Sequence, residues 1–170
     1  AGAAIVALRT WNALHFGFED FSAGVSDVRW PGRLQHLHGG KLSTRLPDGW
    51  ELWLDGGHNP AAGAALAQSV SGWTDGPVVL VCGMQENKDV VGFLSPMADA
   101  VTRLVAIDVP GTIPGYSAAD IVDSAVTAGI ASTVASSLED ALRSISGGPG
   151  RVLVCGSLYL AGNVLAAEAG

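Results

Sequence analysis

Three short apolar runs constrain this chain more than any other feature. Residues 78–82 (VVLVC), 104–107 (LVAI) and 151–155 (RVLVC) are almost continuously Val, Leu, Ile, Ala or Cys, and each is followed by Gly or Asp and then by a helix-like stretch. A strand that is apolar at every position has to be covered on both faces, and strands separated by helices pair in parallel. The expected fold class is therefore α/β: a Rossmann-like, mostly parallel sheet with helices on both faces, preceded by a short helical segment.

From residue 33 onward the expected order is strand 33–37, strand 41–46, a turn at Pro47-Asp48-Gly49 and strand 50–54. Helix 60–70, strand 78–82, helix 90–100, strand 104–107 and helix 117–128 come next, then strand 133–134, helix 137–145, strand 151–155 and helix 158–167. Ser137 with Asp140 three residues on is a variant capping box. The amino-terminal part has a different texture. Two helical stretches, 3–14 and 22–28, are joined by His15-Phe16-Gly17-Phe18. Trp11, Phe16, Phe18 and Phe21 are more aromatic surface than two short helices bury against each other, so the segment is expected to pack on something else. Trp30-Pro31-Gly32 punctuates the chain, which places residues 1–29 in a helical segment and 30–170 in the α/β domain.

Composition narrows the function classes. A 48% hydrophobic and 15% charged chain suits a packed core. Its net charge of −7 argues against a nucleic-acid partner, which calls for a basic stripe. No apolar run approaches the ~20 residues of a membrane span, and the amino terminus lacks the basic region of a signal peptide. Cys82 and Cys155 lie inside apolar runs. They are expected to be inert core thiols in a reducing, cytoplasmic setting, the alternative being a redox or metal role.

In an open parallel sheet, ligands bind beyond the carboxyl ends of the strands. Four expected strands end there in polar or glycine-rich loops: Asp55-Gly56-Gly57-His58-Asn59-Pro60, Gly83-Met84-Gln85-Glu86-Asn87-Lys88-Asp89, Asp108 with a Gly/Pro loop, and Gly156-Ser157-Leu158-Tyr159. Asn59 is a good N-cap and Pro60 a favoured first helical residue, so the helix start is well specified and its free N–H groups attract anions. Asp55 is placed to accept from ribose hydroxyls, and His58 to project over the site. The plainer alternative is that both only tie their loop together. Lys88 and Asp89 equally suit a solvated helix start, Ser157 a simple cap, and Arg33 a surface charge. The phosphate loop G-x-x-x-x-G-K-[ST], the dinucleotide fingerprint G-x-G-x-x-G, zinc-spaced Cys/His clusters and G-x-S-x-G are all absent.

Taken in order, Trp30-Pro31-Gly32-Arg33-Leu34-Gln35, Leu54-Asp55-Gly56-Gly57-His58-Asn59-Pro60, Val81-Cys82-Gly83-Met84 with Lys88-Asp89, and Val154-Cys155-Gly156-Ser157-Leu158-Tyr159-Leu160 resemble the carboxy-terminal half of the folylpolyglutamate synthase and dihydrofolate synthase family, a branch of the Mur-ligase superfamily. The resemblance covers essentially the whole chain. It departs from the usual pattern with Gly57 where Ala is common, and with a longer strand–turn–strand insert between Arg33 and Asp55.

What the resemblance implies is an enzyme that activates a folate or pteroate carboxylate with ATP and Mg²⁺ and joins it to glutamate. The phosphate loop, most magnesium ligands and the pterin site would belong to an amino-terminal ATPase domain that precedes this chain, and the chain alone would be inactive. Arg33 would face the ATP phosphates and Asp55 the ribose. His58 and Ser157 would lie near the incoming glutamate or the reacting acyl group. Residues 1–29 would be the tail of that domain plus the linker. A non-catalytic Rossmann-like nucleotide-binding module, a related Mur-type peptide ligase domain and a structural domain that docks a partner through its aromatic segment stay open as alternatives.

Overall fold

In a computed structural model of the chain, residues 2–11, 15–111 and 114–170 are described. The chain divides into two compact units, Ala1–Pro31 and Gly32–Gly170.

The first unit holds helices α1 (Gly2–Thr10) and α2 (Phe18–Ser26). The expected helix 3–14 starts one residue earlier and ends at Thr10; its last three positions, 12–14, lie outside the described residues. The second helix begins at Phe18, four residues before the expected start. Gly17 takes the N-cap position, the Asp20 carboxylate accepts from the Gly17 N–H at 2.7 Å, and Glu19 and Asp20 place negative charge at the positive helix end. Neither helix has a buried residue.

The second unit is a six-stranded sheet in the order β1-β2-β6-β3-β4-β5. Its strands are β1 (Gln35–Leu37), β2 (Trp50–Leu54), β3 (Val78–Cys82), β4 (Arg103–Ala106), β5 (Ser132–Val134) and β6 (Gly150–Cys155). Only the β1–β2 pair is antiparallel; β2–β6, β6–β3, β3–β4 and β4–β5 are parallel. Helices α3 (Pro60–Val70), α4 (Val90–Leu94), α5 (Ala118–Thr127), α6 (Leu138–Arg143) and α7 (Leu158–Ala169) cover it.

The pleat sorts the apolar runs onto two faces. Leu54, Val79, Val81, Val152 and Val154 pack with Leu142 of α6 and Leu160 and Val164 of α7. Leu80, Cys82, Leu104, Leu153 and Cys155 pack with Leu66 of α3, Phe93 of α4 and Ile121 of α5. Burying each such side chain stabilises the fold by roughly 1.5–3 kcal/mol. This is the expected mostly parallel sheet with helices on both faces.

Two expected elements are corrected. Residues 41–46 are not a strand: they turn through a 3₁₀ helix at Ser43–Arg45, because Glu168 of α7 accepts from the N–H groups of Gly40 (3.1 Å), Leu42 (2.8 Å) and Ser43 (3.0 Å) and from the Ser43 hydroxyl. That removes these donors from any strand ladder, so the insert between Arg33 and Asp55 is strand, 3₁₀ turn, strand. Helix 90–100 stops at Leu94 and continues as a 3₁₀ turn at Ser95–Met97, since Pro96 has no N–H to donate and its ring obstructs the preceding turn. The turn at 47–49 stands, with the Trp50 N–H on the Pro47 carbonyl at 3.1 Å.

Candidate functional site

Parallel pairing brings the carboxyl ends of β2, β6, β3 and β4 to one edge, with Leu54 opposite Val154, Cys82 opposite Cys155 and Cys82 opposite Ala106. Asp55, Gly156 and Gly83 are the next residues along that edge. Antiparallel β1 begins there, Gln35 facing Leu54, which carries the turn containing Arg33 to the same place. The chain leaves β3 toward β4 and returns as β6 on the other side of β3, the kind of switch point where open α/β sheets bind ligands.

Backbone hydrogen bonds join three of the loops. The Gly56 N–H donates to the Gly32 carbonyl (2.8 Å) and the Gly156 N–H to the Gly57 carbonyl (2.9 Å). Gly156 has φ +104, and a Cβ there would sit 2.7 Å from the Gly83 carbonyl oxygen and 2.9 Å from Cys82 Sγ, so only glycine lets β6 and β3 approach at this point. A Cβ on Gly57 would fall 2.8 Å from Asp55 Oδ1 and 3.0 Å from Ala62 Cβ, which gives glycine a steric reason at that position in this chain.

Arg33 is exposed and forms no ion pair among the described residues. Its neighbours are pinned: the Gly32 N–H donates to Gln35 Oε1 (2.9 Å) and the Leu34 N–H to Asp55 Oδ2 (2.8 Å). Leu34 has φ +38, the one non-glycine residue with positive φ among the described residues. A branched side chain in that region costs about 1–2 kcal/mol.

Asp55 is buried at 7% exposure, and its Oδ1 accepts from the Gly57 N–H at 2.6 Å. Both oxygens thus brace loops, while a carboxylate's roughly four acceptor sites leave room for a further donor. His58 is half-buried with Nδ1 2.9 Å from the Gly56 carbonyl oxygen. A carbonyl only accepts, so Nδ1 carries the proton and, in the neutral ring, Nε2 is left with a free lone pair. Ser157 is 1% exposed and its Oγ accepts from the Tyr159 and Leu160 N–H groups (3.1 and 3.4 Å), capping α7. Asp89 caps α4 through the Gly92 N–H (2.8 Å), and the Lys88 carbonyl accepts from the Tyr116 hydroxyl (3.3 Å). The edge therefore gathers Arg33, Asp55, His58 and Ser157 onto loops tied to one another, with the amino ends of α3 and α7 among them.

Three links escape a reading by spacing, although Asp108 and Gln35 themselves stand in the loop and the motif named above. Asp108 Oδ1 accepts from the Ala118 N–H at 2.7 Å, ten positions away; Gln35 pins the Arg33 turn; and the backbone of Leu34 has no local signal such as Gly or Asn.

Residues 32–158, well over half of the chain, match the model of the Mur ligase, glutamate ligase domain. The chain belongs to that family.

Among solved structures, the bifunctional folylpolyglutamate synthase/dihydrofolate synthase of Yersinia pestis is 26% identical with a TM-score of 0.75, covering 97% of this chain and 37% of that one. A second structure of it, complexed with AMPPNP and Mn ion, matches over 95% of this chain at the same identity and TM-score. The Mycobacterium tuberculosis folylpolyglutamate synthase complexed with ADP and AMPPCP shares the fold, with a TM-score of 0.72 at 21% identity over 89% of this chain. The chain spans a little over a third of the length of these enzymes. Among curated proteins, none matches the sequence.

For a Mur ligase domain the edge offers the polyphosphate of a nucleotide one exposed cation. That cation is Arg33, while the amino ends of α3 and α7 are largely taken by their own caps, the Ala62 N–H by Asn59 Oδ1 and the Tyr159 and Leu160 N–H groups by Ser157 Oγ. A divalent cation finds less here: no group of three or more His, Cys, Asp or Glu placed to hold a metal occurs among the described residues. No helix among them is long and apolar enough to cross a membrane.

Proposed function

We propose that this chain works as the carboxy-terminal part of an ATP-dependent ligase that joins L-glutamate to dihydropteroate or to a (poly)glutamyl folate. In that reaction the substrate carboxylate takes the γ-phosphoryl group of ATP, giving an acyl phosphate and ADP. The glutamate amine then attacks the acyl carbon, loses a proton and expels phosphate, leaving an amide. The observation that carries the reading is the glutamate ligase domain match together with an exposed Arg33, without an ion-pair partner among the described residues, held on a pinned turn at the sheet edge.

In this reading Arg33 faces the phosphates and neutralises charge that builds up during transfer. Asp55 lines the ribose side through its remaining acceptor capacity. His58 offers Nε2, and Ser157 sets the amino end of α7, beside the incoming glutamate. Residues 1–29 are the tail of a preceding ATPase domain and the linker, and that domain holds the Mg²⁺, the β- and γ-phosphates and the pterin. The 170-residue chain is then inactive alone and binds ATP only in the millimolar range, since half a site orders the ligand without enough contacts to offset the cost.

The test is ATP-dependent glutamate addition by the intact ligase and by this chain. The expected result is activity in the first and none in the second, with Arg33→Ala lowering turnover of the intact enzyme about 100-fold at an unchanged melting midpoint. Activity that falls only as far as the folded fraction would sink the assignment of Arg33, and turnover by the chain alone would sink the two-part reading.

A further inference from the structure

We propose that Asp55 is a positioning residue for Arg33, acting through the backbone of Leu34. The kinetic consequence rests on the ligase reading above; the structural one does not.

The case starts at Leu34, whose φ of +38 is unfavourable for any residue with a Cβ, and most of all for a bulky one. Something has to hold it there, and the visible grip is the Asp55 carboxylate, which accepts the Leu34 N–H at 2.8 Å across 21 residues of sequence. The carboxylate is itself fixed. Its residue is 7% exposed, its Oδ1 accepts from Gly57, and its own N–H donates to the Val154 carbonyl in β6 at 2.9 Å. The Leu34 side chain packs on the α3–α5 face of the sheet, which keeps the downstream chain in place. Relaxing φ to an ordinary negative value is a rotation on the order of 100° about the bond joining the Leu34 nitrogen to its Cα. That rotation swings Arg33, on the near side of the bond, away from the edge, while β1 on the far side stays paired with β2.

Asp55 therefore decides where the Arg33 charge sits. A ribose ligand acts on ATP affinity in ground and transition states alike; a group that aims a charge at transferring phosphate acts on turnover. The two roles separate by experiment. Asp55→Asn keeps the shape, but only one of its terminal atoms accepts, so either Leu34 or Gly57 meets an NH₂ group where it had an acceptor. Leu34→Gly removes the Cβ that makes positive φ costly.

The test is a double-variant cycle, read by thermal melting of the 170-residue chain and by kinetics of the intact ligase. Packing lost with the Leu34 side chain is common to both backgrounds and cancels in the cycle. The expected result is that Leu34→Gly recovers about half or more of the midpoint lost in Asp55→Asn. In the intact enzyme, Asp55→Asn lowers kcat about 10-fold or more, beyond any rise in the KM for ATP from its ribose contact, and Leu34→Gly restores much of kcat but not of KM. Additive melting effects, or a raised KM for ATP at unchanged kcat that Leu34→Gly does not mend, overturn the proposal. Should Asp55→Asn fail to fold, a folded Asp55→Asn/Leu34→Gly chain supports it and an unfolded one overturns it. If the wild-type intact protein ligates no glutamate, the ligase reading fails, while the melting cycle still decides whether Asp55 holds Leu34.

Discussion

The same kinds of side chain meet opposite fates in the two units. In the first, Phe18 is 86% and Trp30 69% exposed, and α1 and α2 hold no fully buried residue, although an open groove of about 490 Å³ lined by Ile5, Leu8, Phe21 and Val25 runs between them. In the second, Leu80, Phe93, Leu104 and Val154 are fully covered. Hydrophobicity alone does not make a core; opposing surfaces do. Helices of nine residues are below the ~12–15 at which an isolated helix becomes marginal, and two of them can form a single interface. A six-stranded sheet has two faces, and five helices close both.

The sharpest way to break this contrast is to mutate one residue of each kind. Phe93→Ala leaves a cavity between α4 and the sheet and is expected to cost about 3–5 kcal/mol in urea unfolding. Phe18→Ala is expected to stay within about 0.5 kcal/mol. Equal losses at the two sites would mean that the first unit has a core of its own.

A smaller effect is expected where α7 meets the 3₁₀ turn. Burial pushes the Glu168 carboxyl up, but hydrogen bonds from the Ser43 hydroxyl and the Ser43, Leu42 and Gly40 N–H groups outweigh it and hold the group below the usual carboxylate range. Glu168→Ala leaves those donors without an acceptor and is expected to cost about 2 kcal/mol. Because the folded pKa lies below that of the unfolded chain, this contribution is complete above the ordinary carboxylate range and is lost as pH falls through the folded value. The stability gap between wild type and Glu168→Gln should therefore close on acidification, which melting curves at several pH values check. A gap that widens in acid would contradict the carboxylate's role.

The smallest effect is expected from removing residues 1–31 altogether. The melting midpoint of the α/β unit should shift by no more than about 2 °C, as for substitutions far from any packed feature. A drop of many degrees would show that the helical segment supports the sheet.

What was legible in the sequence follows from the range over which each cause acts. The strands at 78–82 and 151–155, the Asn59–Pro60 helix start and the Ser157 cap depend on neighbours a few residues away, and all four lie within one residue of where the sequence placed them. The break at Pro96 had a local signal too, and the apolar periodicity of 90–100 obscured it. The 3₁₀ turn at Ser43–Arg45 had none, because its acceptor is Glu168. At the site, Arg33 and Asp55 stand out as residue types at a strand edge. The link between them runs through the φ of Leu34, and nothing in the chain announces a leucine in that region.

Cys82 and Cys155 face each other across β3 and β6, in the middle of the sheet, at 0% and 1% exposure. The adjacent Cys82 side chain and complete burial push the Cys155 thiol well above its ordinary range, so little reactive thiolate exists while the sheet is closed. The chain has no other cysteine. A thiol reagent such as a disulfide dye is thereby turned into a stopwatch for opening of the central strands, with the helical segment invisible to it. Its labelling rate would report how often the sheet itself comes apart, in the wild-type chain and in every variant above, without any probe being added to the protein.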